Sequence, residues 1–509
     1  MTVLDVSALA TPPDVDAAVC IVGSGSAGAT AAWVLAEAGL DVVVLEEGGD
    51  FTGPQLTGRD GPMYDQLYMD RGARTTSDLS ITVLQGRVLG GGPVINASDV
   101  VPMHDGTARH WVKRWGLTDF SPEALAPYRD RALRDLSVNA PAEEQLNTNN
   151  RLLREGTRAL GWRGEVMAHN RVGCAGTGTC LIGCPLNAKR NTRFVAIPAA
   201  LEKGARFLTR ARAVRIEGAD SDVKTVHVWQ LDPRGHHERA LFHVRARTVV
   251  LAANALASAQ LLLRSGIGNA HVGRHVSLQP QLPVTALFKQ EVRFFRGIPQ
   301  AYAITQHERF DDQQHGWWGF RIEAIAGTPG IVSTLMPMGG AEGKALMRRY
   351  PHVAAVLCLL PDDATSRLEV ESNGRLRIHH GMDAELLGRA REAGKAAARA
   401  FLAAGAVEVM IPAVPPVVIR KEADLARVDA MDFAPATVPF LSAHQQGGIR
   451  YAPSESDGAA APDGRVYGTR GVYALDSAGY PSSASSHTMT PIMTTARMLA
   501  EQLVTLLGR

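Results

Sequence analysis

The sequence predicts a mixed α/β fold, with a parallel sheet that is interrupted along the chain and a second domain built on an antiparallel β-sheet flanked by helices. Three observations predict it. A glycine-rich turn near residue 23 joins an apolar run to a helical stretch, the same pattern returns at 248–266, and short alternating segments replace it from about 281 to 437. Apolar runs followed by helices are typical of parallel strands, whereas alternation is typical of antiparallel strands with one buried face.

The first strand–turn–helix–strand unit carries a dinucleotide-binding signature. An apolar run leads into GSGSAG, an Ala-rich helix follows, and a second apolar run ends at Glu46. Gly23 permits the tight turn, Gly25 lets a pyrophosphate approach the backbone, and Gly28 lets helix and strand pack closely. The helix that begins at Ser26 offers free N–H groups to phosphate. We therefore predict a Rossmann-like domain, with Glu46 accepting hydrogen bonds from ribose hydroxyls.

Length and composition exclude several classes of protein. The chain has 509 residues, enough for more than one domain. It is 45% hydrophobic and 20% charged, as soluble globular proteins are, and its net charge of +2 favours neither nucleic acid nor an anionic membrane as a partner. No apolar run reaches the roughly eighteen residues of a membrane span, and the start lacks a secretory pattern. We expect a cytoplasmic protein without a membrane span.

The pattern changes along the chain divide it into three parts. We predict a discontinuous nucleotide-binding domain from residues 1–110, 195–280 and 438–509. Residues 111–194 are a connecting segment that carries a cysteine cluster, and residues 281–437 are the substrate-binding domain.

Turn and capping residues place the remaining elements. Helical periodicity over 121–163 has Pro122 near a start and Gly161 at an end. The other predicted elements, in chain order, are a hairpin of strands at 225–231 and 240–244, a helix at 257–264 that stops at Gly266, a strand at 284–289, and a long amphipathic helix at 383–404.

At several separated places the chain resembles the glucose–methanol–choline (GMC) oxidoreductases, FAD-dependent flavoproteins that oxidise alcohols. The matching segments follow the family's order and span nearly the whole chain: the opening GSGSAG, the second glycine-rich loop Gly86–Asn96, the tripeptide Gly183-Cys184-Pro185, the segment 249–266, and a C-terminal block that contains AHQQGG, LDS and SHTM. The resemblance implies that substrate lies between the antiparallel sheet and the flavin.

The resemblance also implies which residues hold FAD. They are Gly23, Gly25, Ser26, Gly28 and Glu46 in the first unit, Gly90, Gly91 and Asn96 in the second loop, Val214 near the adenine, and Asp476, Ala478 and Thr488 near the C-terminus. Glu47 is the alternative to Glu46, and Asp476 is otherwise a solvated carboxylate at a strand end. Some relatives attach FAD through a histidine of the second loop. Residues 90–98 contain no histidine, so we expect dissociable FAD.

Alcohol oxidation requires that the hydroxyl proton leaves and that the carbon delivers a hydride to the flavin. A neutral imidazole suits the first task near pH 7. The resemblance implies that His444 is the base and His487 its partner in stabilising a developing alkoxide. In a coupled pair either ring can take the proton. His379 and His380 lie outside the matched segments and are interpreted as a surface pair at a strand end.

Three of the five cysteines are clustered. Cys174, Cys180 and Cys184 end in a Cys-Pro step, a spacing compatible with iron–sulfur ligation. Some dehydrogenases of the family carry a three-iron [3Fe-4S] cluster in this segment. A zinc site is a weaker interpretation of the cluster, because no fourth cysteine or histidine lies adjacent in the sequence. A Cys180–Cys184 disulfide and three plain thiols remain alternatives. Cys20 and Cys358 lie in apolar runs and are expected to be buried.

A few polar residues suggest the substrate. Trp317-Trp318 with Glu323 could stack on and hydrogen-bond a sugar ring, and Gln445-Gln446 add amides beside the base. We predict oxidation of a sugar, aminosugar or cyclitol, with oxygen or another acceptor reoxidising the flavin. A lyase of the hydroxynitrile-lyase type on the same scaffold and an oxidase of a non-sugar alcohol are the alternatives, and the first unit alone does not separate FAD from a nicotinamide cofactor.

Overall fold

The computed structural model describes residues 2–311, 313–336 and 338–508, without the side chains of Thr2 and Thr334. In these ranges the strands are β1 (Thr2–Asp5), β2 (Val15–Val22), β3 (Val42–Glu46), β4 (Ile81–Val83), β5 (Gly164–Val166), β6 (Arg206–Thr209), β7 (Ala211–Glu217), β8 (Lys224–Leu231), β9 (Glu238–Leu251), β10 (Val276–Ser277), β11 (Gln281–Leu287), β12 (Tyr302–Ile304), β13 (Glu308–Asp311), β14 (Gly316–Gly319), β15 (Arg321–Ala324), β16 (Val353–Leu359), β17 (Arg367–Val370), β18 (Leu376–His379), β19 (Glu408–Ile411), β20 (Val417–Ile419), β21 (Phe440–Ser442), β22 (Gln446–Gly447) and β23 (Val472–Ala474).

The helices of the same ranges are α1 (Ser26–Glu37), α2 (Asp60–Leu67), α3 (Gly92–Ile95), α4 (Asp105–Trp115), α5 (Pro122–Asp135), α6 (Thr148–Ala159), α7 (Ala196–Glu202), α8 (Ala255–Ser265), α9 (Pro329–Leu335), α10 (Gly340–Arg348), α11 (Ala384–Ala403), α12 (Ala426–Asp429) and α13 (Met489–Leu506). None of these helices is both long and apolar enough to cross a membrane.

The first sheet is the predicted nucleotide-binding sheet. Its strands run in the order β1-β6-β3-β2-β9-β8-β7, and β23 also pairs with β9. The pairs that β2 makes with β3 and β9 are parallel, and residues 19–22 of β2 are fully buried because α1 covers one face. Since β23 adds a parallel strand beside β9, the two ends of the chain share one sheet. The predicted discontinuous Rossmann-like domain is confirmed.

The second sheet is largely antiparallel, as predicted, and α11 packs on it. Its order is β20-β19-β11-β16-β15-β12-β5, with β21 beside β11 and β4 beside β21. Three of these strands, β4, β5 and β21, lie outside the predicted range 281–437. They pair with strand edges whose backbone groups would otherwise lack partners, so the second sheet draws on more of the chain than the alternating segments indicated.

The helical stretch 121–163 forms two helices rather than one. The side chain of Ser121 accepts a hydrogen bond from the Ala124 N–H at the start of α5, and that of Asn147 accepts one from the Asn150 N–H at the start of α6. Pro141 lies in the interval between them. Side-chain caps of this kind begin new helices. The predicted hairpin and the helices at 257–264 and 383–404 are confirmed as β8–β9, α8 and α11.

Candidate functional site

A cavity of about 710 Å³ opens at the carboxyl ends of β2, β3 and β9. Its walls run from Glu46 and Arg212, past the start of α1, to His444 and His487. Ligands of open α/β sheets bind at this edge of the sheet, and the volume lies in the range of small-molecule and cofactor sites. The cavity therefore joins the predicted nucleotide-binding turn to the predicted histidine pair.

The glycines of the first turn are required by close contacts. Gly23 has φ +99°, and a Cβ there would lie 2.3 Å from the carbonyl oxygen of Ala252. A Cβ on Gly28 would lie 1.8 Å from the Gly23 oxygen. A Cβ on Gly91 would lie 2.6 Å from the Cα of Gly25, so the first turn and the second glycine-rich loop touch. This contact leaves the N-terminus of α1 facing the cavity.

Glu46 ends β3 and lines the cavity. One carboxylate oxygen accepts hydrogen bonds from the hydroxyl and the N–H of Ser24 at 2.5 and 3.2 Å, and the other accepts one from the N–H of Gly48 at 2.7 Å. Burial raises the pKa of Glu46 above its ordinary value. The alternative, Glu47, pairs with Arg212 at 2.9 Å. Glu46 therefore remains the better candidate for the ribose hydroxyls.

The predicted cofactor residues divide into those that line the cavity and those that stand behind it. The residues that line it are Gly23, Gly25, Ser26, Glu46, Gly91, Asn96, Asp476 and Thr488. Gly28, Gly90, Val214 and Ala478 lie behind this wall, and their part in holding FAD stays a prediction. Val214 lies at an irregularity of β7, so its neighbours 211–213 form the wall instead. Gly90 donates its N–H to the Ser24 hydroxyl at 3.0 Å and supports the turn.

Asp476 is a fixed carboxylate and not a solvated one at a strand end. Its oxygens accept hydrogen bonds from the Ser258 hydroxyl at 2.7 Å and from the Ala478 N–H at 3.0 Å. Burial raises the pKa of Asp476 to about 6. Together with the two glycine loops, the start of α1 and Glu46, this arrangement fits a bound dinucleotide such as FAD.

The two predicted catalytic histidines lie together at the junction of this cavity and a second one. Their ring centroids are 5.1 Å apart, and both rings line both cavities. Nδ1 of His444 lies 2.5 Å from Oε1 of Gln279, whose Nε2 donates to the Ser485 carbonyl at 2.7 Å. The second bond fixes the orientation of the Gln279 amide, so its oxygen faces Nδ1 of His444. Nε2 of Gln281 also lies near Nδ1, but at the longer distance of 3.2 Å. We therefore assign the proton to Nδ1, as the donor to Gln279, and the lone pair to Nε2.

The two rings differ in charge. Burial, with a smaller effect of the positive His487, lowers the pKa of His444 to about 3, so this ring is neutral near pH 7. Burial would also lower the pKa of His487, but the carboxylates of Asp99 and Glu323 outweigh it and raise that pKa to about 10. Nε2 of His487 lies 2.5 Å from Asp99 and 3.2 Å from Glu323, and Nδ1 lies 3.0 Å from the Ser486 hydroxyl. His487 is an imidazolium.

Sequence reasoning missed Asp99 and Gln279 and gave Glu323 the wrong partner. Asp99 lies three residues beyond Asn96, and its place directly after the second loop was the available signal. Burial would raise its pKa, but His487 outweighs burial and lowers it to about 2. Glu323 is fully buried and binds Arg321 and His487 instead of a sugar. Gln279 gave no signal because its neighbours in space are far away in the chain.

The second cavity, of about 150 Å³, is the candidate substrate site. It ends at His444 and His487 and is bounded by the second sheet and α9. Its walls are mostly apolar and include Leu84, Phe294, Ile325, Val332, Leu357 and Met410. A hydroxyl group at its inner end would meet the neutral imidazole, while the rest of the molecule would contact hydrocarbon.

Of the polar residues that suggested a sugar, Gln445 lines the larger cavity, whereas Trp317, Trp318, Glu323 and Gln446 line neither cavity. Trp317 is buried in the β13–β14 hairpin, and Trp318 stacks on His315 with ring centroids 3.8 Å apart. The Gln445 amide donates to the Ser442 carbonyl at 2.8 Å, and the Gln446 amide oxygen accepts from the N–H of residue 484 at 2.8 Å. These aromatic and amide groups pack the fold or hold its backbone, and none of them lines the second cavity.

The three clustered cysteines line one small cavity of about 10 Å³, room for a single water molecule. All three are free thiols, so the Cys180–Cys184 disulfide is not formed. Sγ of Cys174 and of Cys184 each accept a backbone N–H at 3.4 Å. The buried Lys189 and Arg171 line the same cavity, and neither forms an ion pair with a carboxylate in the part of the chain described. Nζ of Lys189 donates to the Asn96 carbonyl at 2.8 Å and the Cys180 carbonyl at 3.0 Å.

Comparison with known proteins identifies a family whose models match most of this chain. Residues 64–281 and 363–496 match the GMC oxidoreductase family models, and residues 21–83 match an NAD(P)-binding Rossmann-like domain. An uncharacterized GMC-type oxidoreductase of Mycobacterium tuberculosis is 31% identical over 95% of this chain and 75% of its own length. A long-chain-alcohol oxidase of Arabidopsis thaliana is 28% identical over 95% of this chain and 67% of its own. A 6'''-hydroxyparomomycin C oxidase of Streptomyces lividus is 32% identical over 51% of this chain and 54% of its own.

Solved structures share the fold. A pyridoxine 4-oxidase from Mesorbium loti superposes with a TM-score of 0.71 at 17% identity, over 96% of this chain and 99% of its own. A fungal aryl-alcohol oxidase superposes with a TM-score of 0.66 at 14% identity, over 98% and 100% of the two chains. The family models, the mycobacterial relative and the joined cavities lead to one conclusion: this chain belongs to the GMC oxidoreductase family and is an FAD-dependent enzyme that oxidises alcohols.

Proposed function

We propose that this enzyme oxidises an apolar alcohol with an aryl or short alkyl body, in place of the sugar-like substrate predicted from the sequence. The observation that carries the proposal is the mostly apolar cavity that ends at His444 and His487. Its volume of about 150 Å³ is that of a cavity that holds benzene. A sugar would leave most of its hydroxyl groups without hydrogen-bond partners there, at a cost of about 1–3 kcal/mol for each group.

The chemistry follows from the different charges of the two rings. Nε2 of the neutral His444 accepts the hydroxyl proton, because Gln279 holds the other nitrogen as a donor. Both nitrogens of His487 already have partners, so this residue acts through its positive charge and favours the alkoxide over the alcohol. When bound, FAD supplies the acceptor for the hydride. With no histidine in residues 90–98, we expect that FAD to be held without a covalent bond.

The names of the relatives support an apolar substrate without deciding it. The Arabidopsis relatives are called long-chain-alcohol oxidases, and one neighbour in structure is called an aryl-alcohol oxidase. The Streptomyces relative is named for a hydroxyparomomycin, so sugars belong in the test.

The test is anaerobic flavin reduction by a panel of alcohols. We expect benzyl alcohol and 1-butanol to bleach the flavin with a kcat/KM about 30- to 160-fold above that of glucose or glucosamine, because burying such a group contributes about 2–3 kcal/mol. Repeating the turnover with oxygen and with an artificial dye then identifies the acceptor class.

The matched variant is Ala326→Leu, which narrows the apolar cavity. It should lower kcat/KM for benzyl alcohol and leave ethanol nearly unchanged, while Ala345→Leu, at an exposed position of α10, changes neither. A preference for sugars in the wild-type enzyme would reject the proposal, and failure of every alcohol to bleach the flavin would favour the lyase.

The iron–sulfur cluster stays a prediction. Three thiols around one cavity have the donor chemistry that such clusters need. The cavity of about 10 Å³ would have to widen to hold iron and sulfide. If the cluster forms, purified protein contains iron and acid-labile sulfide, and Cys184→Ser lowers both. Cys358→Ser, a buried cysteine elsewhere, leaves them unchanged. Flavin without iron would show that the site holds plain thiols.

A further inference from the structure

Gln279 is buried and has a backbone conformation that residues with a Cβ rarely adopt. Its φ is +49°, in the left-handed region. Non-glycine residues in this region persist only where surrounding contacts impose the conformation, and they concentrate at functional sites. Gln279 lies between β10 and β11, directly before the strand that contributes Gln281 to the substrate cavity.

The carboxylate of Asp362 imposes this conformation. Oδ1 accepts hydrogen bonds from the Ser277 hydroxyl at 2.6 Å and from the Gln279 N–H at 2.8 Å, and Oδ2 accepts one from the Leu278 N–H at 3.0 Å. Asp362 is itself buried, on the segment that follows β16. One side chain therefore holds three consecutive residues of the turn.

The turn aims the Gln279 side chain at the catalytic base. With Nε2 bound to the Ser485 carbonyl, Oε1 faces Nδ1 of His444 at 2.5 Å. A neutral imidazole has one proton, which lies on either Nδ1 or Nε2. When it lies on Nε2, that nitrogen cannot accept the proton of an alcohol. Nδ1 has two amide neighbours, Oε1 of Gln279 at 2.5 Å and Nε2 of Gln281 at 3.2 Å. The closer one is an acceptor, which keeps the proton on Nδ1 and leaves Nε2 basic.

We propose that Asp362 is a positioning residue, which acts through the Gln279 turn to hold His444 in the tautomer that can accept the substrate proton. The inference rests on the proposed role of His444. It requires no contact between Asp362 and substrate or flavin, since Asp362 lines neither of the two cavities.

The titratable groups that lie near Asp362 are different from those that act on His444. The nearest titratable group to Asp362 is His380, whose Nδ1 is 4.0 Å from Oδ2 and 2.5 Å from the Ser366 hydroxyl. His380 is buried, which corrects its prediction as a surface residue. The charged groups that act on His444 are instead those of His487, Asp99 and Glu323. The Gln279 turn is the link between the two groups.

The experiment is a double-mutant cycle on the holoenzyme with Asp362→Ala and Gln279→Leu. Each single variant should lower kcat for flavin reduction about 10- to 100-fold, with KM and FAD content within about twofold of wild type. The double variant should be no slower than Gln279→Leu alone, because Asp362 has nothing left to position. Asp362→Asn, which keeps one acceptor oxygen, should have a kcat between those of Asp362→Ala and wild type. It replaces Asp362→Ala in the double-mutant cycle if that variant fails to fold.

The matched control is Ser366→Ala, which disturbs the same buried group through His380 and leaves the Gln279 turn intact. Its kcat should stay within about twofold of wild type. The inference is overturned if Asp362→Ala lowers kcat by the same factor in the Gln279→Leu background as in wild type. It is also overturned if Ser366→Ala lowers kcat as much as Asp362→Ala does, or if Asp362→Ala lowers only the FAD content. A His444→Ala variant that stays active would instead reject the proposed function itself.

Discussion

Replacing His444 with alanine is expected to lower kcat for alcohol-driven flavin reduction by about 10²- to 10⁴-fold, the usual contribution of a positioned general base. The ring lies at the inner end of the apolar cavity, its pKa is lowered to about 3, and Gln279 leaves Nε2 free to accept a proton. FAD should remain bound, because the glycine turns and Asp476 are untouched. The measurement is rapid mixing of oxidised enzyme with benzyl alcohol without oxygen.

The control is His275→Ala. Burial, with nearby positive charges, lowers the pKa of His275 to about 4, so it too is a neutral imidazole, but it lines neither cavity. The His275→Ala variant should reduce its flavin at a rate within about twofold of the wild-type rate. A His444→Ala enzyme that reduces its flavin at the wild-type rate would show that the proton leaves by another route.

Asp99→Asn is expected to move the alkaline limit of activity toward neutral pH by about 1–3 units, the range over which one adjacent carboxylate shifts a pKa. In the wild type the pKa of His487 is raised to about 10 from the ordinary 6.5. Its charge is therefore present throughout neutral pH and is lost as pH rises through about 10. Because His444 has lost its proton above about pH 3, the wild-type rate should be flat from pH 5 to 9 and fall near pH 10.

The same raised pKa predicts a stability change. The ion pair of His487 with its carboxylates contributes fully below pH 6.5, the pKa of an unfolded histidine, and this contribution disappears as pH rises through about 10. Wild type should therefore lose more of its free energy of unfolding between pH 7 and 10 than Asp99→Asn does. Asp105→Asn, at the exposed start of α4, is the control. An unchanged alkaline limit in Asp99→Asn would mean that His487 does not hold the charge.

The local parts of the fold and of the cofactor site could be predicted because they depend on short stretches of chain. Gly23 and Gly28 are required by contacts within one strand–turn–helix unit and its neighbouring strand. Their spacing, together with the flanking apolar runs and the acidic residue that follows, therefore indicated a dinucleotide site. Helices α8 and α11 could be predicted because apolar residues recur at helical spacing within each segment. Residues behind the cavity wall, such as Val214, were harder to place because an irregularity in β7 decides which of its residues face the cavity.

The sugar-like substrate is not confirmed, and the reason is a different one. Trp317 and Gln445 are residue types that bind sugars, but the type of a side chain does not say which way it points. In the folded chain both are turned into packing and backbone hydrogen bonds. The apolar cavity is assembled from strands and loops that lie hundreds of residues apart, from Leu84 to Leu441.

By itself the sequence determined the α/β class and the dinucleotide turn, since short-range spacing and residue type are enough for both. It indicated the two histidines through the resemblance of the C-terminal block to the GMC family. Only the tertiary structure decided that one ring is neutral and the other charged. Their charges depend on burial and on Asp99, Glu323 and Gln279, which come from three distant parts of the chain. A pKa is a property of the surroundings of a group, and these surroundings exist only once the chain has folded.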